Sequence, residues 1–167
     1  MNEVENKFNP VVRDNDHLSV ANRAIPKAAG RVIGYYQVNN EKEEEVELRD
    51  VYCYFWGAER SFNLAALDTS HETRVHLVGE GLEQGRTYPI SFEENDFQLW
   101  FDKVGVTTGN ESIQRRSLGG ELTVMFIEES RKSVEGRFYF TFLQENPNTS
   151  FSQKINLNFT FSVVAGN

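Results

Sequence analysis

The chain has 167 residues, enough for one domain with a full hydrophobic core and cramped for two. A hydrophobic fraction of 39% beside 25% charged residues excludes a disordered composition. The net charge of −8 repels phosphate backbones, so no nucleic-acid partner is expected. Cys53 is the single cysteine, which rules out an intrachain disulfide. No run approaches the roughly 18 apolar residues of a membrane-spanning helix, and none is expected. The segment from Met1 to Lys7 has no apolar core of a secretory signal; the compartment stays open between the cytoplasm and export by another route or after removal of a signal.

Residues 1–30 lack strand periodicity and read as an irregular N-terminal arm, with a short helix expected over Asp16–Ala24 and ended by Pro26. From Arg31 the pattern changes, and residues 31–167 read as one β domain. Val32, Gly34, Tyr36 and Val38 alternate, then an acidic run from Glu41 to Glu45 forms a hairpin tip before Val46 and Leu48 resume. Val51 to Trp56 is apolar on both faces and reads as a central strand. Further strands are expected at Phe62–Ala66, around Val75 and Leu77, at Tyr88–Phe92 and at Phe97–Phe101. Gly79, Gly81 and Gly85 break the pattern between the second and third of these.

The connection from Gly105 to Gly120 reads as one long Gly-containing loop. Strands follow at Leu122–Phe126, at Phe138–Phe142 and at Ile155–Val163. The last is the clearest signal: Ile155, Leu157, Phe159, Phe161 and Val163 alternate with polar residues, which a helix would scatter around its circumference. About eight to ten short strands without helical interludes predict an all-β, antiparallel β-sandwich, with a β-barrel as the alternative.

Gly119-Gly120-Glu121-Leu122-Thr123-Val124 followed by Ser133-Val134-Glu135-Gly136-Arg137-Phe138-Tyr139-Phe140, together with Gly85-Arg86-Thr87-Tyr88-Pro89-Ile90, resembles the hairpin pattern of small, largely uncharacterised bacterial lipoprotein β-sandwich domains. The resemblance spans about half the chain and implies a sandwich fold. The lipid-attachment cysteine of that family has no counterpart here, so lipid anchoring does not carry over.

No motif names a reaction or a cofactor. His17, His71 and His76 have no nucleophile elbow to serve, and His76 and His71 read as surface residues. Gly79 to Gly85 has the wrong spacing for a dinucleotide loop. Three Asn-X-Ser/Thr matches, at Asn110, Asn148 and Asn158, are close to chance for this composition, and no glycans are assigned. Trp100, Asn110, Arg115 and Arg116 are the candidate binding residues. An aromatic on an outer face beside two cations in a long loop suits a sugar or an acidic partner.

These features point to a non-enzymatic binding or interaction domain, with a protein, a glycan or another copy of the chain as partner. One alternative is a carboxylate-dependent hydrolase, such as a glycoside-cleaving domain, using Glu94, Asp96 or Asp102. The other is a structural subunit of a surface assembly, self-associating through edge strands. The acidic runs at Glu41–Glu45 and Glu93–Asp96 lack a calcium-loop pattern and read as solvated loops, so no metal or other cofactor is expected. A thermal melt should accordingly be unmoved by a strong chelator. A large fall, restored by a divalent ion, would overturn that expectation and direct attention to the acidic runs.

Overall fold

The computed structural model describes residues 7–8, 24–93, 96–107 and 113–166. The helix expected over Asp16–Ala24 falls almost wholly outside them. A two-residue strand β1 (Lys7–Phe8) pairs with β2 (Ile25–Pro26). All other strands belong to one sheet: β3 (Ala29–Val38), β4 (Glu44–Leu48), β5 (Asp50–Trp56), β6 (Ser61–Leu67), β7 (Thr73–Gly79), β8 (Thr87–Ser91), β9 (Phe97–Lys103), β10 (Gln114–Glu128), β11 (Ser133–Glu145) and β12 (Ser152–Val164). Their order is β4-β3-β12-β11-β10-β8-β9-β7-β6-β5.

The fold is all-β, and it realises the barrel alternative: ten strands form one sheet that curls until its ends almost meet. Those ends, β4 and β5, are joined through Arg49 alone. Residues just outside the ladders bridge the remaining gap. The Ala28 N–H donates to the Val51 carbonyl at 2.9 Å, and the Gly166 N–H to the Cys53 carbonyl at 3.0 Å. Lys27 pairs with Tyr52 in an isolated antiparallel bridge. Backbone groups that an open edge would leave to solvent are thereby paired.

The sheet is mixed rather than purely antiparallel. β8 runs parallel to β9, with Ile90 opposite Phe97 and Ser91 opposite Gln98, and antiparallel to β10. At the end of β8 the Ser91 hydroxyl donates to Asp96 at 2.7 Å and accepts from the Glu93 N–H at 2.9 Å. β8 is thus the corner where one half of the sheet passes into the other.

The core lies inside the curl. Phe138, Phe140 and Phe142 of β11 meet Phe159 and Phe161 of β12 on the inner face. The Phe138 and Phe159 rings stack with centroids 5.5 Å apart. Phe62 of β6 stacks on Phe161 at 5.8 Å and ties the two halves together. The alternation read at Ile155–Val163 holds residue by residue, with all five apolar side chains buried and Asn158 and Thr160 exposed.

The segment expected as one long loop from Gly105 to Gly120 is strand from Gln114 onward, where β10 begins. Gly119 lies at a β-bulge with φ of 149°, a conformation open to glycine, and a Cβ on Gly120 would stand 2.7 Å from both the Phe140 ring and the Tyr139 carbonyl. Glycines that read as loop are here a bulge and a close strand contact.

Replacing Phe159 with Ala should cost about 3–5 kcal/mol by opening a large cavity, whereas Asn158→Ala should stay within about 0.5 kcal/mol. Chemical denaturation of both variants checks the assignment of faces, and equal midpoints would refute it.

Candidate functional site

The residues proposed from sequence do not assemble into one site. Trp100 does sit on the outer side of β9, opposite Leu99 and Phe101, but it is only 8% exposed. Its ring lies 5.2 Å from that of His76, and with Val78 and Tyr54 it forms a small second apolar cluster. His76 is itself buried, not on the surface, and its Nε2 is 2.6 Å from the Asn63 side-chain oxygen. β6, β7 and β9 are buried on both faces along most of their length, which alternation alone does not reveal. His71, by contrast, is exposed and contacts Asp50 at 2.9 Å.

The two arginines part company. They are consecutive in a strand, so their side chains point to opposite faces. Arg115 turns inward at one end of the barrel, where it lies 3.4 Å from Asp102 and over the Phe142 ring at 5.8 Å. Asp102 also accepts from Arg74 at 2.7 Å. Arg116 points outward, 68% exposed at its side chain and 4.0 Å from Glu145. The pair expected to act together is therefore one structural cation and one surface cation. Asn110 lies outside the described residues.

Glu94 is likewise outside them. Asp96 and Asp102 are six residues apart along an extended segment, roughly 20 Å at the usual strand rise. That exceeds the roughly 5–10 Å that paired carboxylates of a glycosidase span. Asp96 is engaged by Ser91, and Asp102 by two arginines. Cys53 is fully buried, and burial pushes its thiol pKa far above the ordinary range, which suits a packed side chain rather than a nucleophile.

The geometry that sequence reading missed is the outer face of β4, β3, β12, β11 and β10. Register aligns its side chains into rows across the strands. One row runs Glu45, Tyr35, Asn158, Tyr139, Glu121. Its tyrosines flank Asn158 two strand spacings apart, about 9.5 Å. Tyr139 is 48% exposed, and the Asn158 amide donates to the Tyr35 hydroxyl at 3.4 Å. The next row is Gln37, Asn156, Thr141. There Thr141 donates to Asn156 at 2.8 Å, Asn156 to Gln37 at 3.2 Å, and Gln37 to the Glu41 carbonyl at 2.9 Å. On the other side, Ile33, Thr160 and Met125 line a shallow groove of about 270 Å³ that also touches Arg31 and Glu135. The tyrosine row and the Gln37–Asn156–Thr141 row are aromatic and rich in amides and hydroxyls, carboxylates stand at both ends of the tyrosine row, and exposed Arg137 stands in the row on its other side, opposite Thr160. The polar residues of β12 showed only that this side is wet. That tyrosines join them follows from pairing between strands distant in sequence.

Separating the arginines tests these assignments. Arg115→Ala should lower stability by about 1 kcal/mol through loss of the ion pair and ring contact, and Arg116→Ala should stay within about 0.5 kcal/mol. Thermal or denaturant unfolding of the single variants reads the difference; equal effects would mean that the two share one environment. No protein-family model and no curated protein matches the chain.

Proposed function

We propose that the chain is a binding domain whose working surface is the outer face of β3, β12, β11 and β10. The observation that carries this reading is the row Tyr35–Asn158–Tyr139: two tyrosines in register on an open face, one of them half exposed. Aromatic side chains of this kind supply contact area at small entropic cost, and they concentrate binding energy wherever a partner covers them. The face is rigid because the opposite sides of the same strands hold the core phenylalanines. It is open rather than enclosed, so it suits a ligand that lies across it.

This moves the site away from Trp100 and Arg115, which are engaged in packing and ion pairing. It also favours face binding over edge assembly, since β4 presents Glu44, Glu45 and Glu47 and repels a second copy of itself.

The test pairs a screen with two double variants. The purified chain is screened against glycan and protein arrays. For a ligand so found, Tyr35→Ala/Tyr139→Ala should weaken binding at least tenfold, while Arg115→Ala/Arg116→Ala should leave it within twofold. The reverse pattern would return the site to the β9–β10 connection.

A further inference from the structure

We draw no further inference here: the strongest candidate, the cavity at one end of the barrel lined by His71, Arg74, Asp102 and Lys103, carries none, because its basic side chains are already paired with neighbouring carboxylates, Arg74 with Asp102, Lys103 with Glu72 and His71 with Asp50.

Discussion

Thirteen residues of β11 pair without interruption with thirteen of β12, from Ser133 opposite Val164 to Glu145 opposite Ser152. Strict alternation along both strands means that this one register sends five phenylalanines to the same side. A slip by one residue would expose all of them and bury Asn156, Asn158 and Tyr139, an error that costs many kcal/mol at roughly 1.5–3 kcal/mol per large apolar side chain. The sheet is assembled outward from this pair. β10 adds to β11 along nearly its whole length, absorbing two bulges, and β3 adds to β12 over ten residues. The phenylalanines then provide the surface on which the second half, β5 to β9, closes.

The two halves of the sheet differ in how they use their outer sides. In β6, β7 and β9 both sides are buried, and polar residues there are held by specific partners, as His76 is by Asn63. In β3, β11 and β12 the outer side is open. Only the second arrangement can present side chains to a partner while the same strands anchor the core. Rigidity follows without further devices. A tyrosine at position 139 is flanked along its strand by the buried Phe138 and Phe140, so its backbone cannot move without opening the core.

Most of the fold was legible because its strands obey period two. Ile155–Val163 and Phe138–Phe142 are places where burial follows directly from the letters. The failures have particular causes. Gly119 and Gly120 read as loop because glycine is rare within strands, yet one occupies a bulge and the other lets Phe140 approach. Arg115 and Arg116 read as a pair because adjacency in sequence suggests adjacency in space, and a strand defeats that suggestion. Trp100 and His76 read as surface because their neighbours Leu99, Phe101 and Leu77 account for the inner face. Nothing local reports that the other side of those strands is also covered. The tyrosine row was invisible for a deeper reason: Tyr35 and Tyr139 are 104 positions apart, and only cross-strand register puts them on either side of Asn158.

Closure of the sheet bears on what kind of recognition remains open to the domain. A strand-adding partner needs a free, unblemished edge. At the β5 end, the Val51 and Cys53 carbonyls are already taken by the Ala28 and Gly166 N–H groups, and Lys27 bridges to Tyr52. At the other end β4 is short and carries three glutamates. An incoming strand would have to displace backbone bonds at one end or lie against like charge at the other, and both are unfavourable in a chain that is itself acidic. Recognition through faces carries neither cost. Of the two outer faces, the side of β6, β7 and β9 opposite the core is buried, which leaves the tyrosine face as the broad surface where side chains are ordered by the core beneath them and still reach solvent.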